Sequence, residues 1–155
     1  MSALRHAHTY KAAAVHTATP GSLLLMLYDG AIKFMHIADK AFDCEDPLEY
    51  NQTIHNNLVK SQNIVRELRS ALISKGEGEG QDLVNNLIAL YDYFDRRLQE
   101  ANVKKKREIV HEVIERMTDL RSAWAESYAK ENEHKESSLQ PKTPENGGSR
   151  LSMMG

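Results

Sequence analysis

Apolar residues recur along this chain at helical rather than strand spacing, in four stretches separated by short polar or glycine-rich breaks. In the first, from about Pro20 to Phe42, Leu24, Leu27, Tyr28, Ala31, Met35, Ala38 and Phe42 share one face at 100° per residue. Asp29, Lys33, His36, Lys40 and Asp43 take the opposite face. Thr19-Pro20 marks the start, a hydroxyl N-cap followed by a proline whose missing N–H costs nothing at the first helical position. Leu23, Met26, Phe34 and Ile37 carry apolar surface round one flank, beyond what a core stripe needs, and Gly30 sits among them. A glycine inside a helix costs roughly 1 kcal/mol relative to alanine. Two readings of it stand side by side: close packing against a neighbouring helix, or a side-chain-free docking groove for another peptide.

The second stretch opens at Asp46-Pro47-Leu48-Glu49, an acid N-cap, an N1 proline and a glutamate at capping-box spacing. Its inward set is Ile54, Leu58, Ser61, Val65, Leu68 and Leu72, with Lys60, Glu67 and Arg69 expected in water. Glycines 76, 78 and 80 end it in a central loop. A third helix runs from about Gln81 to Ala101 with Val84, Leu87, Tyr91, Phe94, Leu98 and Ala101 inward; Asn102 is the expected cap, with Lys104, Lys105 and Lys106 at the negative helix end. The fourth runs to about Tyr128 with Val110, Val113, Met117, Leu120 and Trp124 inward.

Four helices of this length on short loops predict an all-α, antiparallel up-down-up-down four-helix bundle over residues 19–129. Residues 1–18 read as an N-terminal arm rather than a targeting presequence. Residues 130–155, polar and rich in Ser, Pro and Gly, read as a disordered tail. Leu24…Leu27-Tyr28-Asp29 reappears as Leu87…Leu90-Tyr91-Asp92, and a shift of 63 residues superposes the two inward sets. A pair of hairpins related by an approximate two-fold would produce this echo, as would chance between two leucine-rich helices. Under the shift Gly30 falls on Tyr93, an aromatic where the first hairpin has a gap.

Composition removes several function classes. Twenty basic against twenty-two acidic side chains give a formal charge of −2, with no electrostatic case for nucleic acid. The longest apolar run, Leu23 to Tyr28, is too short to span a membrane, and no signal-peptide core precedes it, so a cytosolic location is expected. The single cysteine, Cys44, has no intrachain partner and stands beside Glu45 and Asp46, which disfavour a thiolate. A bundle di-iron site needs Glu-x-x-His on two core helices; Glu108…His111 supplies one copy, with Glu108 off the inward stripe, and Glu131…His134 lies in the expected tail. His6 and His8 form a loose pair without further ligands. No catalytic, cofactor or metal residues are assigned, and the protein is expected to work by its surface.

That surface has a recognisable form. Thr17-Ala18-Thr19-Pro20-Gly21 followed by Leu27-Tyr28-Asp29-Gly30-Ala31-Ile32 resembles the opening helix of the FliS family, the bacterial flagellin export chaperones. Lys60-Ser61-Gln62-Asn63-Ile64-Val65-Arg66-Glu67-Leu68, the run from Leu90 to Asn102, and Leu120-Arg121-Ser122-Ala123-Trp124 resemble the family's later motifs in the right order, over roughly residues 10 to 128. Ser61 stands where the family usually has alanine, Phe94 where it often has methionine, and Lys104 to Lys106 where it typically has an acidic helix start.

The resemblance implies a cytosolic chaperone, not an enzyme. It would bind the C-terminal segment of flagellin, block premature polymerisation and deliver the subunit to the flagellar type III export apparatus, whose gate protein FlhA becomes a partner. FliW and FlgM are further partners in some relatives, and self-association of two copies through the arm stays open. The flagellin contacts expected here are Tyr10 and Val15 of the arm, Leu23, Met26, Gly30, Phe34 and Ile37 of the first helix, and Tyr93 of the third. The alternative is a helical-bundle interaction module with a different client.

Overall fold

The computed structural model describes residues 19–139 except 75 and 77, so Tyr10 and Val15, with the whole arm, lie outside the described residues, as does the chain beyond 139. Four helices follow one another: α1 Pro20–Ala41, α2 Pro47–Ser74, α3 Gln81–Lys104 and α4 Arg107–Leu139. Each packs against two others, α1 and α3 both lying between α2 and α4, so the short connections give the expected antiparallel ring.

The starts follow from local chemistry. Thr19 Oγ1 accepts from Ser22 N at 3.2 Å ahead of Pro20, and Asp46 Oδ1 accepts from Leu48 N at 3.0 Å ahead of α2. Glu49 makes no return bond to the cap among the described residues. The end of α3 differs from expectation, because the helix runs past Asn102 and stops at Lys105, which takes a left-handed φ of 51°. Asn102 is buried instead. Its amide reaches His55 Nδ1 of α2 at 2.9 Å, and the Lys105 ammonium donates to its backbone and side-chain oxygens, so this corner is closed by a cross-helix contact rather than by an asparagine cap.

The core is the predicted one at its centre. Tyr28, Ala31, Met35 and Ala38 of α1, Ile54, Leu58, Ser61, Val65 and Leu68 of α2, Leu87, Tyr91, Phe94, Leu98 and Ala101 of α3, and Val110, Val113 and Met117 of α4 are all buried. Leu24, Leu27, Phe42, Leu72, Leu120 and Trp124 pack on it half-buried, nearer the bundle ends. Ser61, the one polar member of the inward set of α2, donates its hydroxyl to the Ala31 carbonyl at 2.8 Å, pinning α2 to α1.

The echo between α1 and α3 has a geometric counterpart. Tyr28 and Tyr91, 63 residues apart, hydrogen-bond hydroxyl to hydroxyl across the bundle diagonal, and Trp124 Nε1 donates to Tyr28 Oη at 3.1 Å. The next residue of each motif is ion-paired in matching fashion, Asp29 with Arg121 of α4 and Asp92 with Arg69 of α2. Arg69 is therefore engaged rather than simply solvated. Shifting α2 by 52 residues carries Arg69 onto Arg121, and Leu58, Ser61, Val65, Leu68 and Leu72 onto the inward set of α4. Two hairpins thus repeat one design about the tyrosine pair.

Helix α4 continues to Leu139, past its expected end near Tyr128, and residues 129–137 are all exposed. Lacking an apolar stripe, this extension packs on nothing among the described residues, yet it holds Glu and Lys, good helix formers, with Glu126–Lys130 paired one turn apart at 3.4 Å, and meets no proline before Pro141. Polarity stops packing there, not helix formation.

Candidate functional site

The flank of α1 singled out in the sequence faces the seam with α2. The antiparallel register is set by three contacts: Ser61 against Ala31, Lys60 Nζ 5.2 Å from the ring centre of Phe34, and Ile64 beside Gly30. Along this seam Met26 and Ile37 remain 38% and 36% exposed, while Leu23, Phe34 and Ile64 are half-buried. The result is an apolar strip running with α1 from Leu23 to Ile37, about 21 Å at the helical rise.

At the middle of the strip a Cβ on Gly30 would lie 3.3 Å from Ile64 Cδ1, with nothing else within 4 Å. Both earlier readings of Gly30 thus describe part of its surroundings. It lets the two helices approach closely on one side, and on the other it leaves the strip floor low and partly open. The neighbour it meets is the movable end of an isoleucine side chain. Gly21 is more tightly held, since a Cβ there would stand 2.6 Å from Cδ1 of the Tyr128 ring, which stacks on Trp124.

Tyr93 is placed elsewhere. It lies on the α3–α4 seam, where its hydroxyl donates to Glu112 at 2.6 Å and its ring lies under Arg116, so the structure brings Leu23, Met26, Gly30, Phe34 and Ile37 together and leaves Tyr93 on a different seam. Glu112 also receives Arg97 at 3.0 Å, and these two bonds, that of Tyr93 first, hold its carboxyl below the ordinary carboxylate range. The approximate two-fold explains the mismatch: Gly30 and Ile64 correspond to Tyr93 and Arg116. Where the first hairpin has a gap, the second has an aromatic wedge closed by an ion-pair network.

Sequence reading missed the second wall of the strip, Lys60 and Ile64 on α2. They stand four apart beside the inward stripe, but only the inter-helix register shows that they face α1. The basic run after α3 is likewise largely absorbed, Lys104 pairing with Glu100, Lys105 with Asn102, and Arg107 with Asp39 and Asp43. Among the described residues no cluster suits a metal ion, and no helix is long and apolar enough to cross a membrane.

Residues 3–131 match the family described as flagellar protein FliS. The chain belongs to the FliS family. Its curated relatives include the flagellar secretion chaperone FliS of Bacillus subtilis, 37% identical over 129 residues that cover 83% of this chain and 90% of that protein. FliS of Escherichia coli is 32% identical over 74% of this chain and 79% of its own length, and FliS of Salmonella typhimurium 30% identical over 72% and 78%. The FliS match takes in all four motif-bearing helical runs and the apolar strip, and stops at residue 131, before the outer part of the α4 extension.

Proposed function

We propose that this FliS-family chain is a cytosolic export chaperone that holds the C-terminal segment of flagellin as a helix along the α1–α2 strip. It would keep the segment from polymerising and pass the subunit to the flagellar export apparatus, with the export-gate protein FlhA as the receiving partner. The observation that carries the reading is the strip itself: continuous, apolar and partly exposed, on a chain whose relatives are named flagellar secretion chaperones. A segment that folds on binding has an ordering cost of about 2–5 kcal/mol. At about 25 cal/mol per Å² that cost alone consumes on the order of 80–200 Å² of apolar burial. That is about the area of one large side chain, and a strip four turns long takes several. The work is binding, with no bond made or broken, so no cofactor is required.

Co-purification tests the proposal. Flagellin of the same organism should be retained by the immobilised protein, and flagellin lacking its C-terminal segment should not. Equal retention of both forms, or of neither, would point to the alternative, a helical module with a different client.

A further inference from the structure

Lysines edge the strip on both lips. Lys33 and Lys40, seven residues and two turns apart, stand exposed on the outer side of α1, and Lys60 rises from α2 with its ammonium over Phe34. None of the three has a carboxylate partner, whereas almost every other described cation is engaged; the exceptions are Arg96 and Lys106. The acids of α1 and of the turn after it are already taken: Asp29 is bound to Arg121, Asp39 to Arg107 and His111, and Asp43 to Arg107. An open depression of about 410 Å³ beside the strip joins the apolar Ile32 and Ile37 to Lys33, His36 and Lys40, with Asp29, the carboxylate held by Arg121, at its edge. Two carboxylates of α2 have no cationic partner among the described residues: Glu67, level with Met26 by the antiparallel register, and Glu49, about three turns before Lys60 and beyond the level of Ile37, so both stand away from the lysines. A chain of net charge −2 thus gathers free positive charge along the Gly30–Ile37 half of one apolar seam.

We propose that the strip selects an amphipathic helix whose apolar face is flanked by carboxylates, the flanks meeting Lys33 and Lys40 on one lip and Lys60 on the other. This rests on the strip being the client surface, as proposed above. Complementary charge at the rim of an apolar contact sets partner choice and association rate, and it is screened by salt. The concave seam, lowered at Gly30, fits a helix rather than a flat anionic surface.

The probes are three synthetic helical peptides with one apolar face and Glu, Gln or Lys at the flanking positions, the C-terminal peptide of flagellin, and vesicles of anionic lipid, each titrated against the full chain at about 50 and about 300 mM salt. The Glu-flanked peptide should bind at least about ten-fold more tightly than the Gln-flanked one at low salt. That preference should collapse at high salt and in Lys33→Gln/Lys40→Gln, whose exposed, unpaired side chains can be replaced without disturbing the bundle. Equal affinity for all three peptides, an unchanged preference in the double variant, or tighter association with vesicles than with the Glu-flanked peptide would overturn the proposal. A flagellin peptide that fails to bind while the Glu-flanked peptide keeps its preference removes flagellin as client and leaves the charge selection standing; flagellin binding that ignores salt does the reverse.

Discussion

Tyr28 and Tyr91 are the largest fully buried side chains among the described residues, and their hydroxyls answer each other at the centre of the bundle, with Trp124 giving a third polar group to the same point. Burial pushes both phenols up from their ordinary range, so the pair stays neutral. Tyr28→Phe leaves the Tyr91 hydroxyl and the Trp124 N–H without their partner, and should cost about 1–3 kcal/mol in urea unfolding. Tyr28→Phe/Tyr91→Phe should cost less than the sum of the single changes, because the second substitution removes a group the first had orphaned. Additive costs would contradict the pairing. The sequence exposes these tyrosines as inward residues of an echoed motif, but that they touch is a property of the diagonal, which no single-helix pattern contains. Gly21 is a similar case, since the ring that requires it comes from more than a hundred residues later in the chain.

Helix faces were legible because each inward stripe depends only on that helix's own turn, and Ile54 to Leu68 or Leu87 to Ala101 need no knowledge of a partner. Flanks were less so. Gly30 and Tyr93 occupy equivalent flank positions, yet one opens a seam and the other closes one, a difference decided by Ile64 on α2 and by Arg116 with Glu112 on α4. The α4 extension carries no apolar periodicity and is helical all the same, so the stripe does not mark where that helix ends. Where α1 meets α4, Arg107 and His111 clasp Asp39. Partial burial pushes the Asp39 carboxyl up, but the bonds from Arg107 and His111 outweigh this and hold it below the ordinary carboxylate range; Arg107 holds Asp43 down as well. A depressed folded value stabilises above the unfolded pKa and is lost as pH falls through the folded one. The urea midpoint should therefore drop below about pH 4. Arg107→Ala, which returns both aspartates toward their ordinary values, should give a lower midpoint near neutrality and a shallower acid decline. An acid decline as steep as that of the unaltered protein would remove these pairs from the account.

The whole molecule divides its labour along the two-fold. One hairpin, α3–α4, is locked by Tyr93, Arg97, Glu100, Glu112 and Arg116, and the other keeps an apolar seam partly exposed. Beyond Tyr128 nothing described is buried, so deleting residues 131–155 should leave the melting temperature and the affinity for flagellin peptide unchanged while reducing the far-ultraviolet helical signal. A fall in either of the first two quantities would show that the extension or the chain after it packs on the bundle or on the client.

The strip as client surface stands or falls on Gly30→Gln, measured as binding of the C-terminal flagellin peptide beside a thermal melt of the same sample. Glutamine recovers a large part of about 1 kcal/mol in helix propensity, and its Cβ asks only that the end of Ile64 give way slightly, while its amide lies across the strip. The expected result is at least about a ten-fold loss of affinity with the melting temperature unchanged or raised. Undiminished binding by a stably folded Gly30→Gln protein would mean that the client lies elsewhere on the bundle.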